Sequence, residues 1–195
     1  MNQFYAYLSR LKLIRRWGLM RNTQPENDAE HSLQVAMIAH AIALLGQKRY
    51  GRSVNPEHVV TLAVYHDASE VLTGDLPTPV KYYSDEMRDA FLTVEDQAVK
   101  RLSAMLPDDL RAPIEACMAE KGTYERKIVK AADRISAYAK CIEEQRAGNH
   151  EFDAAAVSIH KSIDEINLPE VQDFMKEMMP AFVLTLDELN NPEAT

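Results

Sequence analysis

Apolar side chains recur every three or four positions over most of this chain, and this spacing limits its fold more than any other feature. It is the period of an α-helix that buries one face. Alternating runs of β-branched residues, which are typical of strands, are scarce. The six glycines and nine prolines fall mostly between the helical segments, where they end helices and form turns. The sequence therefore predicts an all-α fold.

Capping residues and helix breakers give the predicted helix boundaries. Asn55 and Pro56 are a strong start signal, because asparagine bonds to free backbone amides and proline fits the first helical position. One glycine and two prolines in residues 73–79 must interrupt the helix that follows this start. The predicted helices are 3–14, 27–46, 55–71, 84–105, 108–118, 124–146, 153–166 and 170–189. The second starts at a cap formed by Asn27 or Asp28, and its predicted buried side carries Leu33, Met37, Ala41, Leu44 and Leu45.

Length and charge limit the number of domains and the kind of partner. A chain of 195 residues with 46% hydrophobic residues can bury one core and is short for two ordinary domains, so we expect a single domain over residues 1–195. The net charge of −8 and the pI near 5.3 argue against a protein that tracks nucleic acid polymers, because that function needs an extended basic face. A small phosphorylated ligand is compatible with this charge, since one metal ion and one arginine can hold a phosphate.

The sequence also bears on cellular compartment. No stretch approaches the roughly 18 apolar residues of a membrane span, and residues 1–10 lack the basic start and apolar core of a secretory signal. Cys117 and Cys141 have neither metal-ligand spacing nor the density of a disulfide scaffold, so we expect buried free thiols. We therefore expect a cytoplasmic protein without membrane association.

Four polar residues interrupt apolar segments and are candidate metal ligands. The dipeptide His66-Asp67 follows a strongly apolar run, where a charge is costly unless another group pairs with it. Alone, such a dipeptide is more often a capped or salt-bridged pair, but His31 opens the preceding predicted helix and Asp133 interrupts a third apolar run. Two imidazoles and two carboxylates suit a divalent ion with positions left open for water and phosphate, and no cysteine supports a closed zinc site. We expect Asp67 and Asp133 to be tightly buried.

Two further carboxylates follow the His-Asp dipeptide. Glu70 comes four residues after His66, which in a continuous helix places both side chains on one face, about 6 Å apart along the axis. Asp75 lies in the proline-bounded loop, where a stiff backbone can hold it over the same opening. Both are candidates to position or deprotonate an attacking water. Taken singly, Glu70 is better explained as a solvated helix charge and Asp75 as a turn residue.

The basic aromatic segment near the N-terminus offers groups for a phosphate and a sugar or base. Arg16 can bind a phosphate through two hydrogen bonds, and Trp17 can form a flat apolar wall. Without a phosphate site nearby, Arg16 is better explained as a solvated charge and Trp17 as a core anchor.

The other histidines have no predicted place in the site. His40 is nine residues from His31, half a turn out of phase, and should point away from the candidate metal site. The remaining histidines have no predicted acidic or histidine partner: His58, His150 and His160.

At these positions the chain resembles the HD superfamily of metal-dependent phosphohydrolases, in the order His31, His66-Asp67, Asp133. Within it, the chain is similar over nearly its whole length to bacterial 5′-deoxynucleotidases of the YfbR type. The most specific similarity lies in residues 65–81, YHDASEVLTGDLPTPVK, with further matches in residues 11–14, 16–17 and 30–37. The resemblance implies an all-helical HD-type bundle with the metal site between core helices, a homodimer, and hydrolysis of deoxyribonucleoside 5′-monophosphates.

Residue roles follow from the resemblance by matching positions. One divalent ion, Co, Mn, Mg, Zn or Fe, is held by His31, His66, Asp67 and Asp133. The implied catalytic residues are Glu70, Asp75 and Arg16, with Arg16 orienting the phosphate. The implied substrate contacts are Arg16, Trp17, His31, Asp67, Asp75, Leu76, Pro77 and Thr78. Exclusion of a ribose 2′-hydroxyl needs rigid contact, because an apolar pocket rejects an added hydroxyl only about a hundredfold.

Two alternatives share the same metal site. Another HD phosphohydrolase, either a cyclic-nucleotide phosphodiesterase or a nucleoside triphosphate hydrolase, needs the same four ligands and a differently shaped pocket. A nucleotide-binding regulatory module would keep the metal and lack turnover. The presence of Glu70, Asp75 and Arg16 argues against that module.

Overall fold

The chain folds into α-helices joined by turns and short 3₁₀ segments. A computed structural model describes residues 1–81 and 83–191. Within these residues the helices are α1 (Phe4–Leu8), α2 (Asp28–Tyr50), α3 (Pro56–Val64), α4 (Glu70–Thr73), α5 (Thr78–Lys81), α6 (Asp85–Ser103), α7 (Asp108–Ala119), α8 (Tyr124–Arg146), α9 (Asp153–Asp164), α10 (Pro169–Glu177) and α11 (Leu186–Asn190). In this part of the chain, β structure is limited to one isolated bridge between Arg15 and Asn27. The all-α prediction is confirmed.

Helix α2 is the central helix, and it is longer than predicted. The Asn27 side chain accepts hydrogen bonds from the first free backbone amides and caps its start. The helix ends at Tyr50, and the residue that caps it is Gly51, whose φ of 63° is the left-handed conformation that glycine adopts most readily. The predicted end at Gly46 is wrong, because Gly46 lies inside the helix where a Cβ atom would be 2.8 Å from the Tyr124 hydroxyl. That glycine allows close packing of α8 and does not end the helix.

The core forms where α2 packs against α3, α8 and α10. Val35, Ile38, Ala39 and Ile42 of α2 are buried in this cluster with residues of α3 and α8. The prediction that Leu33 and Met37 face the core is wrong, since they are 61% and 59% exposed. Helix α2 has apolar residues on more than one face, so periodicity alone does not say which face the neighbouring helices cover.

The predicted helix 55–71 ends early, and this changes the setting of the His-Asp dipeptide. Helix α3 stops at Val64, and residues 65–69 form tight turns before α4. The His66 ring lies 2.7 Å from the Ala63 carbonyl oxygen, and the His66 amide bonds to that same oxygen instead of continuing the helical ladder. The prediction that Glu70 shares a helix face with His66 is therefore wrong, because no continuous helix joins the two residues.

Two other predicted helices are divided. The first, 3–14, splits into α1 and a 3₁₀ turn at Leu11–Leu13. The last, 170–189, splits into α10, a 3₁₀ segment at Met179–Val183 and α11, because Pro180 has no amide proton for a helical bond. The other predicted helices agree within a few residues, and α8 has the predicted boundaries.

None of the described helices has the length and apolar content to cross a membrane. Both cysteines are free, with Cys141 buried and Cys117 partly buried.

Candidate active site

Three chain segments bring four predicted metal ligands to one place. His31 comes from the first turn of α2, His66 and Asp67 from the turn after α3, and Asp133 from the middle of α8. One ligand atom from each of His31, His66 and Asp133 lies within 4.8 Å of the other two. The two imidazole rings are 5.3 Å apart between centroids. The packing of α2, α3 and α8 thus converts distant sequence positions into a cluster.

Asp67 lies beside this cluster, between the histidines and an arginine. Its Oδ2 atom is 3.0 Å from His66 Nε2, 3.7 Å from His31 Nε2 and 3.5 Å from Arg16 Nη1. Burial alone raises the pKa of Asp67, but the neighbouring imidazoles of His66 and His31 and the guanidinium of Arg16 outweigh it, so the pKa lies well below its ordinary value. Asp67 is therefore an anion at neutral pH.

Hydrogen bonds determine which nitrogen of each histidine faces the cluster. The Ser136 hydroxyl donates its single proton to Gln34 Oε1 at 2.6 Å, so it accepts from His31 Nδ1 at 3.1 Å. His66 Nδ1 donates to the Ala63 carbonyl oxygen at 2.7 Å. In both imidazoles Nδ1 carries a proton, so Nε2 is the nitrogen that faces the cluster and is available to a metal ion.

These two nitrogens test whether the site fits a metal ion. His66 Nε2 is buried 3.0 Å from Asp67 Oδ2, and His31 Nε2 is 3.1 Å from Asp133 Oδ1. A shared divalent cation can take the place of a proton on these two nitrogens, so that each Nε2 and the carboxylate beside it bind the cation together. The two imidazoles and the two carboxylates, including Asp67, fit a divalent ion that accepts nitrogen and oxygen ligands.

The cluster is open on one side. His31 is completely buried and the His66 side chain is 6% exposed, whereas the Asp133 side chain is 39% exposed. The expectation of tight burial is wrong for Asp133, because the middle of α8 borders an opening instead of the core at this position. An open side is what a catalytic metal site needs to admit water and substrate.

Arg16 reaches into the cluster from the N-terminal segment. Its side chain is only 13% exposed, and Nη1 lies 3.5 Å from Asp67 and 3.8 Å from Asp28. Burial works against the charged guanidinium, but the surrounding carboxylates outweigh it and raise the pKa of Arg16 above its ordinary value. The alternative of a solvated charge is therefore wrong. Next to it, Trp17 packs its ring against Phe152, with centroids 5.2 Å apart.

A group of carboxylates with raised pKa values lies around Arg16. Burial, followed by the negative charges of Asp67 and Asp28, raises the pKa of Glu70 far above its ordinary value. Burial also raises the pKa of Asp75, and the nearby Arg16 opposes that rise. Glu70 is thus a protonated acid at neutral pH, and a solvated helix charge is wrong for it.

Asp28 belongs to this group and was considered in the sequence only as a helix cap. The Asp28 side chain is completely buried, its Oδ1 atom lies 3.8 Å from Arg16 Nη1, and a hydrogen bond from the Glu70 carboxyl group favours its anion. Burial raises the pKa of Asp28 to about 6. Because Asn27 forms the cap of α2, the Asp28 side chain is free to turn inward. The only signal in the sequence was that Asn27 and Asp28 could both cap α2. One helix start needs one cap, so the other side chain is left for a different role.

The proline-bounded loop is less enclosed. Leu76 and Pro77 are half-buried between α4 and α5, and Thr78 is exposed at the start of α5. Their contact with substrate stays a prediction.

Three of the remaining histidines have acidic partners, which contradicts the expectation from sequence. The pairs, each at 3.1 Å, are His58 with Glu120, His150 with Asp153 and His160 with Asp164. The last two are spacings of three and four residues on a helical path, where side chains meet.

The fold and the site define the chain as an HD-domain phosphohydrolase. Its structure is similar to that of an HD-domain phosphohydrolase from Listeria innocua, with a TM-score of 0.83, 27% identity, and coverage of 98% of this chain and 95% of the other. It shares its fold with the cyanophage S-2L HD phosphohydrolase, solved with dA and one catalytic Zn²⁺ ion, at a TM-score of 0.61, 23% identity, and 91% and 95% coverage.

Sequence comparison then gives the family. The family described as 5′-deoxynucleotidase YfbR-like matches residues 3–182. A 5′-deoxynucleotidase of Vibrio parahaemolyticus is 47% identical over 191 residues, covering 97% of this chain and 98% of the relative. A 5′-deoxynucleotidase of Erwinia tasmaniensis is 48% identical over 191 residues, with 97% and 96% coverage. This chain belongs to the YfbR-like 5′-deoxynucleotidase family.

Proposed function

We propose that this protein is a metal-dependent 5′-deoxynucleotidase that hydrolyses deoxyribonucleoside 5′-monophosphates to a deoxynucleoside and phosphate. The observation that carries the proposal is the position of Arg16 Nη1, 3.5 Å from Asp67 Oδ2 and thus beside the His-Asp cluster. A guanidinium next to a divalent metal site can hold one phosphate between them. The family membership and the names of the relatives support the same reaction.

In this proposal His31, His66, Asp67 and Asp133 hold one divalent ion, Co, Mn, Mg, Zn or Fe. When bound, the ion polarises the phosphate and makes a water molecule easier to deprotonate. The single Zn²⁺ ion in the cyanophage phosphohydrolase supports a one-metal site. Arg16 binds the phosphate oxygens and balances the negative charge that grows on them during an in-line displacement. Its own charge is held by buried carboxylates, so it is oriented before substrate binds.

Glu70 and Asp75 divide the proton transfers according to their surroundings. Glu70 retains its proton at neutral pH because burial and neighbouring anions disfavour its charge, so it can protonate the leaving 5′ oxygen. Asp75 faces the positive charge of Arg16, which favours its anionic form, so it can accept a proton from the attacking water. Two carboxyl groups with different environments are a common way to provide an acid and a base in one site.

The sugar is proposed to lie against Trp17 and the loop of Asp75, Leu76, Pro77 and Thr78. The two prolines of this loop restrict its backbone. The Trp17 ring is held against Phe152. Because the Trp17 ring and this loop cannot move apart, they leave no space for the 2′-hydroxyl of a ribonucleotide. A rigid contact of this kind discriminates against a ribose more strongly than a flexible apolar pocket does.

The test is phosphate release from paired deoxyribo- and ribonucleoside 5′-monophosphates. Purified protein is stripped of metal and supplied with Co, Mn, Mg or Zn one at a time. We expect release that depends on metal and occurs from the deoxy substrate. Equal release from both sugars would contradict the sugar selectivity, and release only from cyclic nucleotides or triphosphates would contradict the proposed reaction. Absence of release from every nucleotide with every metal would support a regulatory module.

We also propose that the protein is a homodimer, with an exposed apolar stripe of α2 in the interface. Leu33 and Met37 lie one helical turn apart and are 61% and 59% exposed. Two such neighbours on a surface favour contact with another apolar surface, and the family resemblance implies a second copy of the chain. We expect Leu33→Glu to reduce the mass measured by light scattering to the 22.1 kDa of one chain. Leu186→Glu, at another exposed leucine, is the control, and a dimer that survives L33E would contradict this interface.

A further inference from the structure

Glu26 is a nearly buried carboxylate that lies outside the proposed metal ligands, catalytic residues and substrate contacts. It lies just before α2, and its side chain is 12% exposed. One of its oxygens, Oε2, accepts two hydrogen bonds, from Arg16 Nε at 3.2 Å and from Trp17 Nε1 at 2.8 Å. A single oxygen atom therefore joins Arg16, which is proposed to hold the phosphate, to Trp17, which is proposed to face the sugar.

The backbone strengthens this connection. The Arg16 amide donates to the Glu26 carbonyl oxygen at 3.1 Å, and the amide of Asp28 donates to the Ile14 carbonyl oxygen at 3.2 Å. These bonds pair the N-terminal segment with the residues that lead into α2. Glu26 thus holds Arg16 by both its main chain and its side chain, and it is itself fixed by the start of the central helix.

Trp17 has a conformation that needs such support. Its φ of 59° is in the left-handed region, and it is the one described non-glycine residue with positive φ. A bulky side chain stays in this region only when its surroundings hold it there. The Glu26 carboxylate holds the indole edge, and Phe152 packs against the ring from 5.2 Å away. The indole is therefore restrained by a hydrogen bond at its nitrogen and by its packing against Phe152.

We propose that Glu26 is a positioning residue that fixes Arg16 and Trp17 relative to each other, so that phosphate binding and sugar selection act as one unit. The inference rests on the proposed function for its kinetic consequences. Its structural consequence, the restraint of Trp17, does not depend on catalysis. Without Glu26, the Arg16 guanidinium keeps its contact with Asp67 but loses the hydrogen bond from its Nε atom. The indole N–H of Trp17 loses its charged acceptor.

Fluorescence tests the restraint without any turnover. Trp17 is the only tryptophan in the sequence, so the intrinsic emission reports on this one ring. We expect Glu26→Ala to shift the emission to longer wavelength and to increase quenching by acrylamide. Glu26→Gln keeps an oxygen acceptor and should stay close to the wild-type spectrum. Glu165→Gln, an exposed carboxylate at the end of α9, is the control. An unchanged spectrum and quenching in E26A would overturn the proposal.

Kinetics then test the coupling. For E26A we expect kcat/KM on the deoxy substrate to fall about tenfold or more, the loss typical of a charge-assisted hydrogen bond. We also expect the ratio of deoxy to ribo activity to fall, with normal metal content by elemental analysis because Glu26 is outside the metal set. E26Q should recover most of the ratio. A lower kcat/KM with an unchanged ratio in E26A, or an E26Q ratio as low as that of E26A, would overturn the proposal.

The variants also separate this inference from the proposed function. If the wild-type protein releases no phosphate from any nucleotide, the proposed function fails, while the fluorescence of E26A still decides whether Glu26 restrains Trp17. If E26A does not fold, as judged by circular dichroism, Glu26→Asp decides the question, because it keeps the charge but withdraws the carboxylate by one methylene from Arg16 Nε and Trp17 Nε1. A deoxy-to-ribo ratio and an acrylamide quenching equal to wild type in E26D would then show that the contact does not position the two residues, and the proposal would be wrong.

Discussion

Ser136→Ala tests whether a residue outside the metal set holds a metal ligand in the correct form. The Ser136 hydroxyl accepts from His31 Nδ1 and donates to Gln34, so this chain of bonds keeps a proton on Nδ1 and leaves Nε2, which faces Asp133, as the nitrogen available to a metal ion. Alanine removes the acceptor with little change in shape. His31 can then place its proton on either nitrogen, and the tautomer protonated on Nε2 cannot bind a metal.

The size of the effect follows from burial. His31 and Ser136 are completely buried, so water cannot replace the lost acceptor. A buried donor without a partner costs about 1–3 kcal/mol. If that cost falls on the metal-competent tautomer, the affinity for metal drops about 10- to 100-fold, which is also the usual effect of removing a group that supports a metal-bound histidine.

The assay is competition between the stripped protein and a chelator for Mn or Co, which gives the dissociation constant without catalysis. Ser162→Ala is a matched control, because the Ser162 hydroxyl bonds to the Ile159 carbonyl oxygen at 2.7 Å within α9. We expect weaker metal binding in S136A alone. Equal dissociation constants in S136A, S162A and the wild type would refute the assignment of the proton to Nδ1.

Three further predictions use the same structure. Arg16→Lys should lower kcat/KM at least tenfold with normal metal content, because an ammonium cannot form two parallel bonds to a phosphate, and equal kinetics would contradict its role. Glu70→Ala should abolish most turnover while deoxynucleotide binding by calorimetry persists; wild-type turnover would remove Glu70 from the mechanism. Glu144→Ala should lower the free energy of unfolding by about 3–5 kcal/mol in urea melts, because it leaves the buried ammonium of Lys140 without its carboxylate partner. The bonds that Glu144 accepts keep its pKa below the ordinary value despite burial. The stabilisation by Glu144 is therefore complete above the ordinary glutamate pKa and is lost as the pH falls below that value. The free energy of unfolding should then fall faster in acid for the wild type than for E144A, and an equal fall in both proteins would contradict this prediction.

Helix starts and breaks were predictable where the signal is local. Asn55 with Pro56 begins α3, and α8 has the predicted boundaries from Tyr124 to Arg146. A capping side chain bonds to amides two or three residues away, so its effect is contained in the sequence nearby. The prediction failed after Val64, where the His66 ring bonds to a backbone oxygen and tightens the chain. Residue spacing carries no information about which side chains will compete for the backbone.

The candidate ligands could be found in the sequence because each is a polar group in an apolar setting. Burying His31, His66, Asp67 or Asp133 without a compensating partner is costly, so their positions alone suggested a shared site. The openness at Asp133 could not be predicted, since exposure depends on which neighbouring segments stop short of that turn of α8. The exposure of Leu33 and Met37 has the same cause, because apolar periodicity does not say which face is covered.

By itself, the sequence determined the all-α class, most helix starts, the residues of the candidate metal site and the family, because these depend on local hydrogen bonding, on residue type and on specific motifs. Only the tertiary structure decided that Asp28 turns inward, that Glu70 is protonated, and that Glu26 joins Arg16 to Trp17. Each of these depends on distances and burial created when α2 packs against the turn after α3 and against α8. Electrostatic energies change steeply with separation and with exposure to water, and neither quantity can be read from positions along a chain.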